Sequence, residues 1–396
     1  MSEKPKRILW HAARLLVAAG LVAYVLSQAS LYDAVRPAPG EPALQVVREG
    51  PEGVLVALPD GGERLIGAEE FRSDARPEGA VRIAGLITIG RRLAGHWGWV
   101  LAAAAVMMLQ SPVGAIRWQL LLAVQGIHIT FLESLRLTYI GWFFNNWLPG
   151  SLGGDFVKAY YIATQTHRKA EAVTVVFLDR FIGLIAMCML GAVAVLASLE
   201  DERVRAAQVL VGLSLAAAAV GAAVFYSRRI RRVLRLDALL AKLPGGDTAA
   251  KVDRAVFLYR YHKRAVAVAM AYSWLTQIVS VLATWWIATG LGSLASWHHY
   301  FVVMPVIWIG WSLIPVPGGF GVAEAMAQKL FRPSVLGGGA AMAPAEAATL
   351  ALAMILAYRI VQMVVSAPGG VLYLARRTRV SPTHMRDEIE GPEAHA

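Results

Sequence analysis

Gly141–Asp155, GWFFNNWLPGSLGGD, decides how this chain reads. Glycines, a proline, two asparagines and a carboxylate interrupt sequence that is otherwise apolar enough for a membrane. A second interruption, Ile314–Glu324 (IPVPGGFGVAE), follows about 170 residues later. Lipid offers no hydrogen-bond partners to a broken backbone, so non-helical chain at membrane depth persists only where protein buries it or where it lines a cavity. Two such breaks, each ending on an acidic residue, point to a substrate path of the kind built from discontinuous helices.

Composition agrees. The 396 residues are 57% hydrophobic and 16% charged, with mean hydropathy +0.52, whereas soluble domains carry about 25% charged residues. The net charge is +11, but the basic residues cluster beside apolar runs. That pattern fits positive-inside topology and attraction to anionic lipid, and argues against nucleic acid. The lone cysteine, Cys188, excludes an intramolecular disulfide. No GxxxxGK[ST] motif is present, so no ATP-driven step is encoded and no cofactor is expected. The N-terminal MSEKPKRILWHAARLLVAAGLVAYVLS resembles a signal peptide, but its apolar run is long and is crossed by Arg14. It is expected to be a retained span, with cleavage near AYVLSQAS as the alternative.

A span needs about 20 apolar residues. Six candidates are Ile8–Ala29, Leu93–Val113, Val173–Leu199, Val204–Tyr226, Ala265–Leu291 and Ala345–Leu374, and two broken segments cover Phe131–Tyr161 and Tyr300–Leu330. Basic residues set the orientation: Lys4, Lys6 and Arg7, Arg117, His167–Lys169, the Arg228–Arg235 cluster with Lys263 and Arg264, and Arg376–Arg379. They share one side only if neither broken segment crosses fully. The expected fold is therefore an all-α polytopic membrane protein of about six full transmembrane helices plus two re-entrant broken-helix hairpins, an inverted-repeat arrangement with cytosolic termini. Arg91, Arg92 and Arg332 fall on the wrong side of this scheme. Pro149-Gly150-x-x-Gly153-Gly154-Asp155 can be laid against Pro317-Gly318-Gly319-x-Gly321-x-x-Glu324, with chance likeness of Gly/Pro-rich turns as the alternative.

The chain divides into a first transmembrane helix (residues 1–30), an extracytoplasmic β-rich insertion (31–90), a transmembrane domain (91–375) and a disordered cytosolic tail (376–396). In the insertion, VLVALPDGGERLI reads as a hairpin turning at Asp60-Gly61-Gly62, and Ala43–Arg48 and Val81–Ile89 offer further strands. The basic stretch RRIRRVLRLDALLAKL has the spacing of an interfacial helix, or serves only as a topology signal.

Charged residues inside membrane segments are costly and mark functional sites by default. Asp155 either caps the helix that follows it or, with Lys158 one turn on, lines a polar cavity for a headgroup or a proton. Asp179 and Arg180 are adjacent and cannot face each other on a helix, so each needs a partner elsewhere, or both snorkel to the membrane boundary. Arg180 with Asp155 and Glu324 with Arg359 are the expected pairs. Asn145 and Asn146 either satisfy carbonyls freed by the break or contact a ligand. His298-His299 is a pair without further ligands at metal spacing, and no metal is expected.

These residues carry a resemblance. Arg117-Trp118-x-x-Leu-Leu, then Gly141-x-Phe-Phe-Asn-x-x-Leu148-Pro149-Gly150-x-x-Gly153-Gly154-Asp155-x-x-Lys158, then Asp179-Arg180-Phe-x-Gly183-Leu, and Pro317-Gly318-Gly319-x-Gly321-x-x-Glu324 occur in that order. The chain thereby resembles the lysylphosphatidylglycerol synthase transmembrane region, the flippase-like domain of uncharacterised inner-membrane proteins. Family members often carry arginine where Lys158 stands, and residues 31–90 look like an addition. The resemblance implies handling of charged phospholipids or polyprenyl-linked lipids in the plasma (inner) membrane. It does not imply synthase activity, which belongs to a soluble domain not expected here, and the chain is not expected to be an enzyme. The leading expectation is a lipid translocator whose path is lined by Asn145, Asn146, Asp155, Lys158, Asp179, Arg180, Glu324 and Arg359. The alternative is a non-transporting partner that presents lipid to an envelope-biogenesis assembly through residues 31–90.

Overall fold

Five helices in the computed structural model are long and apolar enough to cross a membrane: Trp97–Val124, Glu171–Leu196, Glu202–Val220, Lys263–Gly290 and Pro344–Leu374. The structure describes residues 32–38, 41–71, 80–83, 85–147, 153–166, 169–226, 258–259, 261–313, 321–337 and 342–376. The expected first span, the basic interfacial helix, the tail, and Pro149, Gly150, Pro317, Gly318 and Gly319 lie outside the described residues. The five long helices overlap the other five spans read from sequence. Their outer faces carry exposed Phe177, Val209, Leu213, Val220, Leu275, Ile360 and Val364, apolar surface that suits hydrocarbon rather than water.

The second span needs correction. It was expected to end at Val113, with Arg117 as a boundary charge. Instead α2 (Trp97–Met108) passes through Leu109 in right-handed helical geometry into α3 (Gln110–Val124). Pro112 does not stop the chain because it sits in the first turn of α3, where backbone amides lack intrahelical acceptors anyway. Arg117 therefore lies within a helix, not in a boundary loop.

Each expected broken segment is a pair of helices packed on each other. α4 (Phe131–Trp147) packs against α5 (Gly153–Thr166), and α9 (Trp297–Leu313) against α10 (Val322–Leu330). The intervening long helices are α6 (Lys169–Leu196), α7 (Arg205–Tyr226) and α8 (Lys263–Gly290), with α11 (Pro344–Ser366) and α12 (Pro368–Leu374) at the end and the short α1 (Leu86–Gly95) before α2. α4 and α5 meet backbone to backbone: a β-carbon on Gly154 would sit 1.7 Å from the Gly141 carbonyl oxygen. Gly369 on α12 meets the Tyr139 carbonyl of α4 in the same way, at 2.0 Å. Lipid gives helices no hydrophobic reason to associate, so close approach through small residues supplies the dispersion contact instead.

The chain forms two compact units, each discontinuous in sequence. The first comprises Met1–Ala105, Ala194–Val209 and Val281–Val361, and the second Val106–Val193, Leu210–Ser280 and Gln362–Ala396. Within the second unit, Trp118, Leu121, Leu137, Ile140, Ile162, Val175 and Ile182 build a core in which the hydroxyl of Tyr259 donates to the Leu121 carbonyl at 2.7 Å.

The first unit carries a five-stranded sheet of order β4-β3-β2-β1-β5, antiparallel throughout: β1 (Ala34–Arg36), β2 (Leu44–Gly50), β3 (Gly53–Ala57), β4 (Glu63–Gly67) and β5 (Val81–Ile83). The expected hairpin is present. β3 and β4 are joined through Leu58–Gly62, with Gly61 at φ +85°, a conformation that favours glycine. The last strand is shorter than expected, because the chain turns at Gly85 to start α1. Asp33 explains that turn: its carboxylate accepts from the Gly85 amide at 2.7 Å and the Thr88 hydroxyl at 2.8 Å, capping the helix. Val35, Leu44, Val54, Val56, Ile66 and Ala80 give the sheet its own apolar core.

Candidate functional site

The α4–α5 break places a charge cluster inside the second unit. α5 begins at Gly153, and its Gly154 amide donates to the side-chain oxygen of Asn145 at 2.8 Å. Asn145 thus satisfies an amide of the next helix. Its two carboxylate oxygens go to different cations. Oδ2 accepts from Arg180 Nε at 2.6 Å and from Arg180 Nη2, while Oδ1 lies 3.3 Å from Lys158 Nζ. The Lys158 ammonium also sits 4.9 Å from the centre of the Trp118 ring, a favourable cation–π placement, and its stem packs over Gly141. The side chains of Asp155 and Lys158 are 8% and 10% exposed but that of Arg180 is 42% exposed, so the cluster opens through Arg180.

A second ion pair adjoins in sequence. Arg117 approaches Asp179 side-on, with Nη2 donating to Oδ2 at 2.9 Å and Nε 2.8 Å from Oδ1, and Nη1 donates to Ser273 at 2.8 Å. Asp179 and Arg180 therefore do point to different partners. The side-chain amide nitrogen of Asn146 is buried with no hydrogen-bond partner among the described residues.

The first unit contains a counterpart at the α9–α10 break. Gly321, at φ +86°, precedes α10, and its amide donates to Glu324 Oε2 at 2.9 Å. Glu324 Oε1 lies 2.8 Å from Arg359 Nε on α11, and the Arg359 guanidinium stacks 4.1 Å from the centre of the Trp311 ring. Both side chains are buried. Each break is thus followed, in the first turn of the next helix, by a carboxylate paired to an arginine, with a cation lying against a tryptophan face.

Sequence reasoning carried Arg117 and Trp118 as part of the resemblance, outside the expected path, and did not name Trp311. Arg117 was read as a boundary charge, and a charge inside what proves to be a continuous helix was the available signal. It also missed Asp201, which the fold brings to His298-His299. His299 Nε2 lies 2.8 Å from Asp201 Oδ2, and one ligand atom from each of the three residues lies within 4.8 Å of the others. Burial pushes the Asp201 carboxyl up, but hydrogen bonds from Arg203 and His299 outweigh it and hold the pKa at about 2.

Comparison with known proteins bears on this arrangement. The family model described as the lysylphosphatidylglycerol synthase TM region matches residues 80–370. The chain belongs to this family. The lysylphosphatidylglycerol synthase TM match takes in both helix breaks and both carboxylate–arginine pairs, while β1 to β4 lie before it. The chain is also 24% identical over 258 residues to the UPF0104 membrane protein PH1989 of Pyrococcus horikoshii, covering 59% of this chain and 76% of that protein. No solved structure matches the chain.

Proposed function

We propose that this family member moves a charged lipid, anionic or polyprenyl-linked, across the plasma membrane without ATP. The observation that carries this reading is the pair of buried carboxylates, one after each break, each in contact with an arginine. Burying charge costs several kcal/mol per ion, so such pairs in membrane-grade sequence are retained for a task. In the second unit the described residues bring Asp155 to Lys158 and Arg180, and Asp179 to Arg117. The partly exposed Arg180 suits a phosphate, which arginine grips through two donors. Asp155 and Glu324 are the groups that could carry a coupling proton. On this reading the two helix pairs are re-entrant hairpins of an inverted repeat, and both termini lie in the cytosol. Lipid presentation to a partner is the second reading, favoured by the separate core of the sheet.

Reconstituted protein is expected to accelerate scrambling of labelled anionic phospholipid or polyprenyl-phosphate lipid, and Arg180→Gln and Glu324→Gln to slow it at least tenfold. Arg180→Gln leaves Asp155 paired with Lys158, so it separates loss of transport from loss of fold. No acceleration by folded wild-type protein for either lipid would turn the assignment to presentation.

A further inference from the structure

We propose that Asp201, His298 and His299 form a binding site for a divalent transition-metal ion. The three come from two places in the first unit: Asp201 from the connection between α6 and α7, and the histidines from the first turn of α9. Among the described residues this is the only set of three histidine, cysteine or acidic side chains whose ligand atoms converge, all within 4.8 Å. Two imidazoles and a carboxylate are a donor set that zinc accepts, leaving a fourth position for water or a ligand. Donors about 2.1 Å from one ion are at most about 4.2 Å apart, so side-chain adjustment of about 1 Å closes the set.

The surroundings are arranged as outer support. Arg203 holds Asp201 Oδ1 through its backbone amide at 3.0 Å and its Nε at 2.9 Å, which directs Oδ2 to the histidines. Such second contacts orient a ligating carboxylate. Trp297 meets the His298 ring edge-on, with centroids 6.1 Å apart, and limits its rotation. His299 is 4% exposed, and its Nδ1 has no hydrogen-bond partner among the described residues. The Arg203 charge opposes a cation, but its side chain is 55% exposed and sits on the far oxygen, where solvent screens it. The ion would clasp the α6–α7 connection to the start of α9.

The test uses full-length protein without a polyhistidine tag, stripped with chelator in detergent and titrated with Zn2+ and with Co2+. One Zn2+ per chain is expected to bind at micromolar concentration or tighter and to raise the thermal midpoint. Co2+ should give the visible absorption of a nitrogen- and oxygen-ligated ion. His298→Ala, at a partly exposed position that tolerates truncation, should weaken binding at least tenfold, and Asp201→Asn similarly. Absence of stoichiometric binding by the wild type, or binding undiminished in both variants, would overturn the site.

Discussion

Replacing Asp155 with asparagine is expected to destabilise the protein by about 3–5 kcal/mol, the cost of stripping one partner from a buried ion pair, and to abolish lipid scrambling. The cost falls mainly on Lys158. Its ammonium is nearly enclosed, and with Asp155 neutral it keeps, among the described residues, the Trp118 ring, which contributes about 0.5–2 kcal/mol. Arg180 loses less, because its side chain is partly exposed and can be hydrated. The double variant Asp155→Asn, Lys158→Met should accordingly recover part of the loss, since it removes the stranded charge. Thermal midpoints in detergent together with scrambling rates read both quantities. A double variant that is stable but inactive would tie the carboxylate to transport. A single variant as stable as wild type would show that the cluster is open to water and not a buried network.

Gly154→Ala is the second large effect. Its β-carbon would meet the Gly141 carbonyl oxygen at 1.7 Å, and backbone cannot swing aside as a side chain does. Overpacking typically costs about 1–3 kcal/mol, occasionally more, and here it forces α4 from α5 and pulls Gly154 from its Asn145 cap. Gly141→Ala should be milder, because its nearest neighbours at 2.9 and 3.0 Å are carbons of the flexible Lys158 stem. Gly183→Ala is the control: nothing lies within 4 Å of a β-carbon there, so midpoint melting temperature should hold or rise. The order Gly154 worst, Gly141 intermediate, Gly183 neutral is the expected result in thermal melts, and equal losses at all three would refute the packing argument.

Much of this arrangement was legible in the sequence, for physical reasons. Long apolar runs announce helices because lipid permits little else, and the Asp60-Gly61-Gly62 turn announced its hairpin because few residues accept positive φ. The Asp155–Arg180 and Glu324–Arg359 contacts were reachable because a charge in an apolar run must find a partner. Three things were not legible. Helix continuity through Ser111-Pro112 depends on where the proline falls in the turn. The switch from strand to helix after Ile83 depends on Asp33, over 50 residues away in sequence. Asp201 meets His299 across 98 residues, a distance over which no local spacing carries information.

The two breaks differ in one respect with a functional consequence. At the first, a neutral amide side chain, Asn145, accepts from an amide at the start of α5, while the Asp155 carboxylate faces Arg180 and Lys158. At the second, Glu324 does both jobs, accepting the Gly321 amide on one oxygen and facing Arg359 with the other. Loss of that carboxylate would weaken an anchor and an ion pair at once. Removing the carboxylate would therefore discharge one break and unfasten the other, so the same kind of substitution has different mechanical consequences at the two breaks.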